Sequence, residues 1–240
     1  MNGKAALKVL LVIFVVLFVG ALGFLGYIWF SGGSGEASRV VEAEAVEPVR
    51  TESFVYDVDL DQSEARFVIE EVLRGQPNTV VGVTNQIDGS FIVDLDPAQV
   101  EIGEFVINVR TIATDDEVRD RTIRTLILES NRDEFEFASF RPTRIEGLPE
   151  TIAFGDTLRL DVTGDLTVRD VTTETTFDMV LTLVSDERIE GDASSNITWE
   201  ELDIIIPYVG GNSIVASVAE NLDLELEFVA SGRPAETASE

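Results

Sequence analysis

After residue 54, apolar and polar residues alternate with a period of two, the spacing that puts every apolar side chain on one face of a pleated strand. The longest such stretch is Leu158 to Val184. Leu158, Leu160, Val162, Leu166 and Val168 share one phase, with Gly164 at the missing apolar position, and Phe177, Met179, Leu181 and Leu183 resume it. This predicts two long strands joined by a turn, with Asp, Thr and Arg on the wet face. The same reading covers Tyr56 to Leu60, Ala65 to Ile69, Val81 and Val83 on through Ile87, Phe91 and Val93, then Phe105 to Val109. It continues at Phe135 and Phe137, Ser139 to Thr143, Ser194 to Trp199, and Leu222 to Phe228. Turns are expected at Leu73–Thr79, Asp94–Pro97, Gly147–Pro149 and Glu190–Asp192, and in the loop Pro207–Asn212, which holds Gly210-Gly211. An all-β domain of about eight or nine mostly antiparallel strands follows, a sandwich or a closed barrel. Closure is attractive because it removes exposed edges.

Two segments depart from this period. Thr114-Asp115-Asp116-Glu117 places acids at a helix start, and Val118, Thr122, Ile123, Leu126 and Ile127 recur at helical spacing, which predicts one short helix from about Asp115 to Leu128. Val9 to Phe30 is an unbroken apolar run of about 22 residues, long enough to cross a bilayer as a helix. Lys4 and Lys8 precede it and no basic residue follows until Arg39, so the N-terminus is expected in the cytoplasm and the remainder outside. Tyr27 and Trp29 fall at the outer end, where such rings favour the interface. A cleaved signal peptide is the rival, but its apolar core is shorter and no Ala-x-Ala site follows closely. The expected organisation is a transmembrane anchor over 1–30, a flexible acidic linker over 31–53, a β domain over 54–230 and a disordered tail over 231–240.

Composition narrows the chemistry. The formal net charge is −28, and without Lys4 and Lys8 the remainder carries 15 arginines against 45 acids, a net −30. Such a surface repels nucleic acid and is first of all a solubility or salt adaptation. With no His and no Cys, disulfides, soft metal sites and the usual nucleophile–base pairs are excluded, and with no lysine beyond Lys8 so are Schiff bases. There is no phosphate-cradling loop of the P-loop kind. Asp223, Glu225 and Glu227 sit on the polar phase of a strand and read as a solvated face. Asp115-Asp116-Glu117 could offer oxygens to calcium but lacks the spaced loop for it, and a helix start accounts for it better. Asn196-Ile197-Thr198 is an N-glycosylation sequon of the kind that recurs by chance. No catalytic residue, no metal ligand and no enzymatic activity are expected.

The inward apolar residues remain as candidates: Phe67, Ile69, Phe91, Val93, Phe105, Ile107, Val109, Phe140, Phe177 and Met179. Alternation alone cannot tell a dry core from the wall of a tunnel. Arg66 and Arg119 would hold a polar head group if they faced a barrel mouth, and otherwise pair with the abundant acids.

Val162-Thr163-Gly164-Asp165-Leu166-Thr167-Val168, followed by Asp170-Val171-Thr172, resembles the signature of the YceI-like family. Thr111-Ile112-Ala113-Thr114 with Arg119-Asp120, Asn196-Ile197-Thr198-Trp199 with Leu202 and Ile204, and the closing strand from Leu222 to Ala230 resemble further blocks of that family, in order. The resemblance covers roughly Phe54 to Ala230. The chain has Asp170 where the family often has Gly, Phe135-Glu136 where it often has Tyr-Pro, and none of its common histidines. The resemblance implies an extended, lipocalin-like antiparallel barrel of about eight strands with a helix and an apolar tunnel, in a periplasmic or secreted setting. Characterised members bind long isoprenoid chains such as quinone precursors. It therefore implies a membrane-anchored, extracytoplasmic lipid-binding protein. No cofactor is expected beyond a bound isoprenoid or quinone-like lipid, and the expected partners are that lipid and the membrane, with no nucleic acid. The alternative is a non-catalytic structural or interaction module of the cell envelope with a dry barrel core.

Overall fold

The alternating segments build one curled antiparallel sheet. The computed structural model describes residues 3–31, 33–44, 46, 53–207, 209 and 215–233. An N-terminal helix α1 (Gly3–Ser31) is followed by β1 (Phe54–Val58), β2 (Glu64–Leu73), β3 (Gln76–Thr84), β4 (Ile87–Asp88), β5 (Ser90–Leu95), β6 (Ala98–Ile102) and β7 (Phe105–Asn108). Helix α2 (Glu117–Thr122) precedes β8 (Phe137–Glu146), β9 (Thr157–Val168), β10 (Val171–Ser185), β11 (Arg188–Thr198), β12 (Val215–Val218) and β13 (Asn221–Arg233). The neighbours run β4-β7-β8-β9-β10-β11-β13-β1-β5-β6, and β2 pairs with β13, β3 and β12. β4 and β5 are separated only by Gly89, so this path returns to its start and the sheet curls into a barrel.

The 13 strands exceed the expected eight or nine because long staves are interrupted. β1 and β2 form one stave, broken by a 3-10 turn at Leu60–Gln62 that Asp59 caps by accepting from the Asp61 backbone N–H. β3, β4 and β5 form the facing stave. Leu73 opposes Gln76 at the tip of this hairpin, and Phe54 opposes Val93 near its base. β9 and β10 pair without a break from Val168–Val171 to Thr157–Thr182, with Arg169 at the turn in the left-handed region, φ +56°.

Several local expectations are corrected. Glu190-Gly191-Asp192 is not a turn but lies inside β11, and the chain reverses at Asp186–Glu187. Gly191 opposes Phe228, whose ring occupies the space a Cβ would need. Gly82 makes room for Phe67 in the same way. Gly82 thus belongs to the inward phase of β3 with Val80 and Thr84, and Val81 faces outward, 39% exposed. Phe135 is in a 3-10 turn rather than a strand, and Val109 follows the end of β7, where Asn108 caps another 3-10 turn. β13 continues through Arg233, pairing with β1 beyond the expected limit at 230. Residues 234–240, Gly210-Gly211, and 45 and 47–52 of the spacer lie outside the described residues.

The predicted helix starts at its acids. Asp116 accepts from the Val118 and Arg119 backbone N–H groups, both at 2.9 Å, and the helix passes into a π turn at Ile123–Ile127. The spacer, flexible by composition, is seated on the barrel over residues 33–44. Val41 is buried, and the Ala43 backbone N–H donates to Asp88 at 2.7 Å. The Ser38 backbone N–H and hydroxyl both donate to Glu136, a fully enclosed carboxylate. A buried carboxylate needs such donors, and Asn108 and Arg110 complete the set at 2.9 and 3.3 Å. Burial alone would raise the Glu136 pKa, but the Ser38, Asn108 and Arg110 contacts outweigh it and hold the group below its ordinary value.

Candidate ligand cavity

The barrel is filled at one end and hollow at the other. At the filled end Phe91 stacks on Phe228 with ring centres 5.0 Å apart and meets Phe105 edge-on at 5.5 Å. Tyr56, Val93, Leu181, Leu183 and Ile189 close around them with no exposed surface. The Tyr56 hydroxyl donates to the Ser185 carbonyl at 3.0 Å. Burial, helped by the nearby Asp186 charge, pushes its pKa up to about 12.

Toward α2 the inward side chains no longer meet. Phe67, Ile107, Phe177, Leu224 and Leu226 face the axis yet are only partly buried, because the space before them is a cavity of about 700 Å³. That volume falls within the range of about 300–1,000 Å³ typical of small-molecule sites. Ile123, Ile127 and Leu128 reach it from α2 and the π turn, and Trp199, Leu202 and Ile204 from the loop after β11. Trp199 satisfies its indole N–H on the Ala219 carbonyl at 2.9 Å, leaving the apolar body of the ring for the cavity. Arg169, in the β9–β10 turn, ties these two covers together. It donates to the Ile127 carbonyl at 3.2 Å and to the Asp203 carbonyl at 2.7 Å.

Of the ten apolar candidates, Phe67, Ile69, Phe105, Ile107, Val109, Phe140, Phe177 and Met179 line the cavity. Phe91 and Val93 do not. Their strand pairs with β1 at the filled end, where the Phe91–Phe105–Phe228 cluster occupies the axis. Phe105 belongs to both regions and forms the floor. Arg66 borders the cavity beside Glu225, and its guanidinium takes the ion-pair role, bonded to Glu225 at 2.5 Å and Glu227 at 2.6 Å. Arg119 reaches the cavity at its α2 end, where it pairs with Glu71 at 3.5 Å and with Asp115. The 199–204 loop and Arg169 were not legible as site residues. Their approach is set by tertiary contacts, and the run Leu202–Ile206 carries no clear period.

The arrangement suits an elongated apolar guest. Its walls are mostly aliphatic and aromatic, with Glu71, Arg74, Asp116 and Arg119 and the paired Arg66 and Glu225 as the charged groups on its border. Among the described residues no three His, Cys, Asp or Glu side chains converge as a metal site would need.

A family model described as a YceI-like domain matches residues 56–230. No curated protein matches the sequence. Among solved structures, a polyisoprenoid binding domain from Saccharophagus degradans aligns with a TM-score of 0.52 at 13% identity, covering 77% of this chain and 100% of that one. BcnA from Burkholderia cenocepacia aligns with a TM-score of 0.52 at 18% identity, covering 72% and 98%. At such identities the likeness is one of fold.

Proposed function

The chain belongs to the YceI-like domain family, and from this premise we propose that it is a lipid-binding protein whose barrel shelters a long apolar chain, an isoprenoid or a quinone-like lipid with such a tail. The observation that carries the reading is the apolar cavity of about 700 Å³ enclosed by Phe67, Ile107, Phe177, Leu224 and Leu226. Burying such a chain is favourable by about 0.8 kcal/mol per CH₂, so shape and apolar area suffice without a specific polar contact. Arg119 stands where a head group would emerge, although its own acids hold it. The structure similar in fold from Saccharophagus degradans is a polyisoprenoid binding domain, which supports the same ligand class. The dry-barrel alternative predicts inward residues that fill the axis, and only the Phe91 end does so. We place the barrel outside the membrane, tethered by α1. An apolar helix over Ile13–Ser31 long enough to cross a bilayer and the position of Lys4 and Lys8 before it support this. In this reading the protein acts by binding its lipid.

The test is to extract the lipid from purified full-length chain and compare it with the bulk membrane extract. Enrichment of an isoprenoid chain is expected, together with uptake of added geranylgeraniol. A barrel that carries no enriched lipid and takes up no geranylgeraniol would falsify the proposal. Reagent accessibility of single cysteines placed on either side of α1 reads the orientation, and intact mass reads whether α1 is retained.

A further inference from the structure

The mouth of the cavity lies against the end of α1. Among its lining residues Arg74, Asp116, Val118 and Val209 are exposed, which marks the opening between the β2–β3 turn, the first turn of α2 and the segment after β11. Three apolar side chains project around this rim: Val118 is 54%, Ile205 84% and Val209 38% exposed. One helical turn from Val118, the Arg121 guanidinium lies over the Trp29 ring, 3.6 Å from its centre. Trp29, with Tyr27 and Phe30, forms the exposed outer end of α1. The chain leaving α1 has little slack. Gly35, at φ +79°, rests on Arg124 so closely that a Cβ would come within 2.8 Å of the guanidinium. Ser38 is already fixed to Glu136. The anchor therefore does not hang on a loose spacer, and its interfacial end and the cavity mouth are parts of one contact.

We infer that the mouth is seated on the surface of the bilayer that α1 spans, so that a lipid passes between membrane and barrel without crossing water. This rests on the proposed lipid binding and anchoring. A tryptophan at the end of a membrane helix sits at head-group level, and a guanidinium 3.6 Å from it places α2 at that level too. Exposed Val118 and Ile205 then enter the interface instead of water, where apolar side chains gain free energy. Most of the acids at this rim have local partners: Asp115 pairs with Arg119, Glu117 with Arg121 at 3.4 Å, and Asp116 accepts from the backbone at the start of α2. The seat therefore suits a zwitterionic lipid surface, while the rest of the acid-rich wall keeps off anionic lipid. Direct seating also spares the apolar chain exposure to water, which the hydrophobic effect opposes.

The chain has no cysteine, so single cysteines can be labelled cleanly. Full-length protein carrying Val118→Cys, Ile205→Cys or, in the β10–β11 turn at the filled end, Glu187→Cys is labelled with an environment-sensitive dye. Each is placed in phosphatidylcholine nanodiscs. Labels at 118 and 205 are expected to brighten several-fold, shift to the blue and be quenched by doxyl-labelled phosphatidylcholine, while the label at 187 does none of these. Arg121→Gln and Trp29→Ala, combined in turn with the label at 205, are expected to reduce that quenching. Labels at 118 and 205 that stay as unquenched as the one at 187 overturn the inference, whether water or another protein covers the rim. Lipid extraction from the same discs separates the two readings. A filled barrel with an unquenched rim defeats the seating alone, and a quenched rim over a barrel that takes up no geranylgeraniol defeats the lipid-binding reading alone.

Discussion

Phe91 and Phe177 both point into the barrel, and their surroundings differ on one side. Phe91 is enclosed by Phe105, Phe228 and the residues of the filled end. Phe177 meets Phe140 edge-on at 4.8 Å and otherwise fronts the cavity. Phe91→Ala should cost about 3–5 kcal/mol, the usual loss when a core ring leaves a void. Phe177→Ala should cost less than half of that, because a side that already lacks partner atoms has little dispersion to lose. Urea unfolding of the two variants checks this, and equal losses would mean that the cavity is not hollow. Gly82 permits a converse experiment. In Gly82→Val the new side chain claims the place of the Phe67 ring, which must swing inward. Stability should fall by about 1–3 kcal/mol from overpacking, while geranylgeraniol uptake by the folded variant drops. Uptake equal to wild type would place the ligand elsewhere. Residue phase was legible at Phe67, Phe177 and Phe91, which all read as inward, but not in β3, where Gly82 faces in and Val81 faces out. Whether something stands behind an inward ring depends on strands distant in sequence, which is why Phe91 and Val93 could not be told apart from the cavity wall.

Elements show the same division. The helix at Asp115–Leu128 was legible because its cap acids and apolar spacing are local. Seating of residues 33–44 was not, because Gly, Ser and Glu read as flexible and their partner Glu136 is about a hundred residues away. That contact should make stability pH-dependent. The Glu136 pKa is lowered on folding, so its contribution is full above the unfolded carboxylate value, about 4.3. It is lost as pH falls through the lower folded value. Tyr56 has the opposite sign. Its pKa is raised from 10.0 to about 12, so its contribution is full below pH 10 and is lost as pH rises toward 12. Thermal melts across pH should show Glu136→Gln flattening the acid limb relative to wild type and Tyr56→Phe flattening the alkaline limb. Limbs unchanged in the variants would assign the titration to other groups. Arg169 acts on the covers. Arg169→Ala removes the bonds to Ile127 and Asp203, and amide exchange should quicken in Ile123–Leu128 while β9 and β10 stay protected. An unchanged π turn would mean that apolar contacts alone hold the cover.

At the scale of the whole molecule the barrel is a vessel with a filled base, a hollow upper half and a helix across its opening. Such a vessel gains stability when occupied. Full-length protein with geranylgeraniol at about a hundred times its dissociation constant should gain about 2.7 kcal/mol. Calorimetry in the same nanodiscs reads the gain, and Gly82→Val should show less of it. The fold itself tolerates wide variation in sequence, since structures only 13% and 18% identical share it.

The sequence by itself determined the β-rich class, the helix, the apolar N-terminal segment and the lack of His and Cys. These are local or compositional properties, read from spacing and residue type. Only the tertiary structure decided where the barrel is hollow, that Arg66 is tied to Glu225 and Glu227 while Arg119 stands at the opening, and that the supposed spacer binds the barrel to the end of α1. Each of these depends on pairings such as Glu225 with Arg66, Phe228 with Phe91 and Glu136 with Ser38. They join residues far apart in the chain, and no local pattern encodes such distances.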